Sequence, residues 1–177
     1  KRGTHHGRGR GCVVIVIDDS GSTDGSVLER EKEAAFAVIA AARMYGDPVG
    51  CVVFGSDITN SLEPSSHYSQ CEDIICSLSS NSGGTSITPA MINAFNMISS
   101  MGGGSIMIMT DAEVSDISKM HQIFRSTPDF TQITAFCFND EHAIKENFGE
   151  FINQRFRVLS ASPYTPFAET ALEEIYG

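Results

Sequence analysis

Two rhythms of apolar residues run along the chain. Some segments are apolar at nearly every position: CVVIVI at residues 12 to 17, VGCVVF opening the stretch 49 to 64, SIMIM from 105, and QITAFCF at 132 to 138. Such runs fit strands of a parallel sheet covered on both faces. Between them lie amphipathic stretches long enough for helices. DGSVLEREKEAAFAVIAAARMYGDP is one, with Ser26 as expected N-cap, Glu29 completing a capping box, and Gly46 and Pro48 closing it. Its Ala34, Ala37 and Ala41 predict close approach to a sheet.

Residues 49 to 64 predict a strand, a Gly-Ser-Asp turn and a more polar third strand running back beside it, a natural sheet edge. A helix is expected over 67 to 79 with Ile74, Ile75 and Leu78 inward. The next has Thr88 as N-cap, Pro89 as first helical residue and a stripe of Met91, Ile92, Phe95 and Ile98. The strand in SIMIMTDAEVSD ends at Thr110 and Asp111, and Ser115 caps a helix that stops before Pro128. QITAFCF and RFRVLS are two further strands flanking a helix in NDEHAIKENFGEFINQ that is weak at Gly149, and Thr165 with Pro166 opens a last helix. The alternation, without internal repeats, predicts an α/β fold: a doubly wound, Rossmann-like, mostly parallel six-stranded sheet with one antiparallel edge strand and helices on both faces.

Composition adjusts this picture in three ways. The 177 residues suit one domain, expected over 12–177, preceded by a basic, Gly-rich arm or linker at 1–11. Charge is uneven. Lys1, Arg2, Arg8 and Arg10 precede Gly11 with no acid among them, so the other 8 basic residues face all 22 acidic ones, a net of -14. Such a body repels nucleic acid and anionic membrane, leaving the arm as the segment able to contact either. No apolar run is long enough to span a bilayer. Five cysteines make no disulfide framework: Cys12, Cys51 and Cys137 sit in apolar runs, Cys71 and Cys76 on a helix. Free thiols fit a reducing, cytoplasmic setting. His5 and His6 lack partners at zinc-site spacing.

Chemistry concentrates at the end of the first strand. In VVIVIDDSGST, alternation puts Asp18, Ser20 and Ser22 on one side where the strand leaves the sheet. Right-handed crossovers bring Asp111, ending another parallel strand, toward the same crevice. Thr85 follows two glycines in SGGTS. Two carboxylates and three hydroxyls, with no imidazole or thiolate nearby, form a hard-oxygen set suited to Mg²⁺ or Mn²⁺ with waters completing the shell. Hydroxyl ligands are neutral, so part of the cation's charge stays uncompensated and can draw in an acidic group. By the same alternation Asp19 points away, and Asp57 shapes its turn.

D-x-S-G-S at 18 to 22, G-G-T at 83 to 85 and T-D at 110 to 111, in that order in one α/β chain, resemble the von Willebrand factor type A domain with an intact metal-ion-dependent adhesion site. The resemblance covers residues 12 to about 176. It implies that Ser20, Ser22 and Thr85 supply hydroxyl ligands, that Asp18 and Asp111 bind directly or through water, and that a partner's Glu or Asp fills the open position. Many members carry Gly after the motif Asp, where this chain has Ala112 and then Glu113, an acid expected to favour the start of the following helix.

Other readings fare worse on the residues. A haloacid-dehalogenase type of phosphate hydrolase wants an acid at position 20, where Ser20 stands. A serine hydrolase needs a base, and His67, His121 and His142 lie away from the strand ends. GGGS at 102 to 105 lacks the Lys of a phosphate-binding loop. A Ro-type ribonucleoprotein module shares the A-type fold, but such proteins bind RNA mainly through a separate helical-repeat part. The expectation is therefore a non-enzymatic, intracellular, Mg²⁺-dependent protein-interaction domain. Family resemblance alone adds AAA+ ATPases as a partner class.

Overall fold

The computed structural model describes residues 11–23, 25–80, 83–111, 113–114, 116, 119–120, 123, 131–138, 141–149, 155–162 and 164–177. Six strands form one sheet: β1 (Cys12–Asp18), β2 (Val49–Phe54), β3 (Ile58–Ser65), β4 (Gly104–Thr110), β5 (Gln132–Cys137) and β6 (Phe156–Ser160). They lie in the order β3-β2-β1-β4-β5-β6, parallel except for β3, which pairs antiparallel with β2 at the edge. The chain winds outward from β1 through β2 to β3, then returns to the other side of β1 as β4. The winding direction therefore reverses between β1 and β4, and in open α/β sheets that reversal opens a crevice at the strands' carboxyl ends.

Strand alternation sorts the core into two layers. Val13, Ile15 and Ile17 of β1 face α1 (Ser26–Tyr45), α2 (Tyr68–Cys76) and α5 (Phe167–Tyr176). Val14 and Val16 face α3 (Thr88–Ser100) and Phe148 of α4 (Glu141–Phe148). Burial on both faces explains the unbroken apolar runs, each fully covered Val or Ile contributing roughly 1.5–3 kcal/mol. β3 is mostly exposed or half-buried, as its polar sequence predicts. The helix expected to start at Ser115 falls largely outside the described residues, as does the arm before Gly11.

Helix ends differ from the sequence expectation in detail. Ser26 is the first helical residue of α1 and Gly25 precedes it with φ 67°, so no Ser26 cap or capping box forms. Thr88 likewise lies inside α3, behind Ile87. Its cap comes from a distant residue instead: the Asp116 carboxylate accepts the Ile87 and Thr88 amides, each at 2.9 Å, placing an anion where the helix exposes unpaired N–H groups. Thr165 does not cap α5, which Pro166 precedes, and it accepts the Ser162 amide at 2.8 Å. The expected C-terminus of α1 does form. Gly46 is left-handed (φ 72°), its N–H reaching the Arg43 carbonyl and the Asp47 N–H reaching that of Ala42, the two bonds of a Schellman motif.

Two inward assignments shift. Ile92 is exposed, and α3 instead buries Met91, Ala94, Phe95, Met97 and Ile98. The sheet-facing stripe of α1 runs Leu28, Glu31, Ala34, Ala35, Val38, Ile39, Ala41 and Ala42, with Ala37 at its margin.

Gly102, Gly103 and Gly104 turn the chain from α3 into β4 at positive φ, and a Cβ on Gly104 would overlap the Cys12 carbonyl. That contact sets β1 beside β4. Gly104→Ala should therefore destabilise the protein by about 3 kcal/mol or more, read from urea unfolding midpoints; a loss under 1 kcal/mol would show that the strands separate there without cost.

Candidate functional site

The parallel register sets Ile17 against Met109, so the next residues, Asp18 and Thr110, leave the sheet side by side with Asp111 just beyond. Asp18 is fully buried, with Asp111 and Ser20 nearly so. One Asp18 oxygen accepts the Ser20 amide at 2.9 Å and the other accepts the Thr110 hydroxyl at 2.9 Å. Asp111 Oδ1 accepts the Glu113 amide at 2.9 Å, which folds the segment after β4 back on itself. Glu113 thus reaches the site through its backbone amide.

Burial pushes the Asp18 carboxyl up to about 6, and the charge of Asp111 adds to the effect, while hydrogen bonds from the Ser20 hydroxyl and amide and from Thr110 oppose it. Two carboxylates are thus held close in a poorly solvated crevice. Donor chemistry fits a hard divalent cation: every polar atom named here is oxygen or an amide that orients oxygen, and each carboxylate oxygen has lone pairs beyond those already used. Among the described residues no three His, Cys, Asp or Glu side chains gather at ligating distance. A cation here would rely on hydroxyl and water oxygens beside Asp18 and Asp111.

The surrounding loops are tied to one another. The β1 loop continues from Ser20 into a single 3-10 turn, Gly21–Thr23. Thr23 is buried; its hydroxyl donates to the Ser20 carbonyl at 2.7 Å and lies 3.2 Å from Ser80 Oγ. Asp19 turns the opposite way from Asp18, its Oδ1 accepting the Ser79 and Ser80 amides at 3.1 and 2.7 Å, which anchors the chain after α2. Ser22 lies in the 3-10 turn, but its side chain is outside the description.

Thr85 is half-buried in the segment leading to α3. That segment is fastened to the β2–β3 turn by the Ser86 amide on the Gly55 carbonyl at 2.7 Å, and Gly84 packs against Ser56. The close approach at Gly84 is thus to this turn, and Gly83 makes none. Asp57 shapes it through its Oδ1 on the Ile58 amide at 2.7 Å and its carbonyl on the Gly55 amide.

Glu31 was not legible as part of this region. It is fully buried on the sheet face of α1, and neither carboxylate oxygen has a hydrogen-bond partner. Burial raises its carboxyl well above the usual range; the charges of Asp18, Asp111 and Asp19 add to this, and the nearby Asp18 backbone offsets only part. The available signal was an acid inside the apolar stripe between Leu28 and Ala34. All five cysteines are free, with Cys76 alone exposed. No helix among the described residues is long and apolar enough to cross a membrane.

Residues 13–113 match the family model described as von Willebrand factor type A domain. None of the curated proteins is a significant sequence match. Solved structures of like fold include an aerotolerance-related membrane protein from Bacteroides fragilis (18% identity, 92% of this chain and 95% of that one, TM-score 0.66). BatB from Bacteroides thetaiotaomicron is similar at 18% identity over 91% and 95%, TM-score 0.68, and the SpRpn10 VWA domain at 11% over 92% and 94%, TM-score 0.68. At such identities the likeness is one of fold.

The raised Asp18 carboxyl has a signed consequence. Its folded-state affinity for a proton exceeds that of the unfolded chain, ordinarily 3.8, so in EDTA its contribution favours folding at low pH and is lost as pH rises from about 4 through about 6. Asp18→Asn should flatten that segment of the stability profile, by on the order of 2 kcal/mol, in urea midpoints measured from pH 4 to 7; an unchanged profile would mean that Asp18 is not the strained group.

Proposed function

Because the chain belongs to the von Willebrand factor type A domain family, a family of protein-interaction modules, we propose that it is a non-enzymatic domain that captures a partner through a divalent cation. In this reading Asp18, Ser20, Ser22, Thr85 and Asp111 hold Mg²⁺ or Mn²⁺. The cation supplies a Lewis-acidic position that accepts a carboxylate oxygen from a partner's Asp or Glu. The chain's own residues orient the set: Thr110 and the Ser20 amide fix Asp18, and the Glu113 amide fixes Asp111.

The observation that carries the reading is the buried pair of acids at the switch point of the sheet, whose mutual repulsion a cation would relieve. Catalysis is not part of this reading. The acidic body suits a partner that presents its carboxylate on an otherwise neutral or basic surface.

Two measurements bear on this. Millimolar Mg²⁺ should raise the melting midpoint over that in EDTA by roughly 5 to 10 °C, as expected for an ion at about a hundredfold its Kd binding the folded state only; coincident melts would contradict an ion-binding site. Asp111→Ala should keep the fold by circular dichroism yet lose all partner captured from native lysate in an EDTA-sensitive manner, whereas unimpaired capture would remove the cation from the mechanism.

A further inference from the structure

Glu31 occupies a place that its neighbours reserve for apolar side chains. Leu28, Ala34, Ala35 and Val38 share its stripe on α1 and are buried against the sheet. A carboxyl in that stripe gives up its hydration, and neither of its oxygens makes a hydrogen bond in return, the Asp18 backbone close by offsetting only part of the cost. Leu or Met would fill the position without that cost.

What surrounds Glu31 locates it further. Asp18, Asp111 and Asp19 act on it electrostatically, and Glu31 together with Asp111 acts on Cys137 at the end of β5. Buried on the sheet face of α1, its carboxyl is thus close to the strand ends that carry Asp18 and Asp111. Without a cation, burial and the neighbouring acids disfavour charge on this carboxyl. With a cation between the strand ends, the same acid becomes favourable.

We propose that Glu31 is a positioning residue of the cation site: a buried counter-charge, held by α1 close to Asp18 and Asp111, that strengthens divalent-cation binding from inside the protein. The inference rests on the cation reading given above. Glu31 stands apart from the direct ligands, consistent with the absence of a ligating triad of acids among the described residues, and acts through its charge across a poorly screened interior. Acting from the buried side, it leaves the outward face of the cation to a partner. It also reduces the positive charge left over there, so that cation affinity and the pull on a partner's carboxylate are set against each other.

The test is Mn²⁺ titration of the purified protein by isothermal calorimetry, with free Mn²⁺ followed by electron paramagnetic resonance, on the unaltered chain, Glu31→Gln and Glu31→Met. The Gln variant keeps the shape and removes the charge; the Met variant also removes the unpartnered oxygens and guards against misfolding of the first. Both should bind Mn²⁺ at least tenfold more weakly, while the Met variant melts in EDTA at a temperature equal to or above that of the unaltered chain. If the unaltered chain binds Mn²⁺ and both variants bind it equally well, the role of Glu31 is overturned and the cation reading stands. If the unaltered chain binds no Mn²⁺, the cation reading itself falls and the role of Glu31 with it.

Discussion

The site depends on one constraint, an acid buried at the end of the central strand: burial raises the Asp18 carboxyl most, and the charge of Asp111 adds to it. Asp18 ends β1 and Asp111 directly follows the adjacent parallel strand β4, so the β1–β4 register keeps both at one end of the sheet. The sheet's core consists of fully apolar strands packed on both faces, so the acids cannot retreat and the strands cannot slide. Repulsion at the crest is sustained by hydrophobic burial below it.

The rim around the pair is built from bonds between loops, each spending a donor or acceptor away from the crevice. Asp19 secures the chain after α2, the Ser86 amide secures the Thr85 segment to the β2–β3 turn, and Asp116 caps α3 from the segment after β4. Asp18 and Asp111 are oriented by an amide each, with Thr110 added at Asp18. Acids at 19, 57 and 116 thus serve as mortar for loops, and those at 18 and 111 are the ones turned to the crevice. Preorganisation of this kind lowers the ordering cost of taking up a ligand.

Much of this was readable from the chain. Strand runs, the polar edge strand and the order of elements follow from burial, which a two-sided parallel sheet writes as continuous apolar sequence. Asp19's opposite orientation follows from period-two alternation. Helix starts were less readable: Ser26 and Thr88 look like caps locally, yet Gly25 and the distant Asp116 take those places, because a cap is decided by whichever oxygen arrives and tertiary structure can deliver one from far along the sequence. Ile92 went outward because α3 fills its inner face with Met91, Phe95 and Ile98. Glu31 escaped notice because in a helix rich in Glu, Lys and Arg one more acid looks like solvent-facing charge until the stripe is phased against the sheet.

The proposed cation has one place to sit, and crystals grown with Mn²⁺ and measured at the manganese absorption edge test that directly. An anomalous peak at the carboxyl ends of β1 and β4, within ligating distance of Ser20 and Thr85 oxygens and within direct or water-bridged reach of Asp18 and Asp111, is the expected result. A map without a peak there, in a crystal where Asp18 and Asp111 remain ordered side by side, would contradict it.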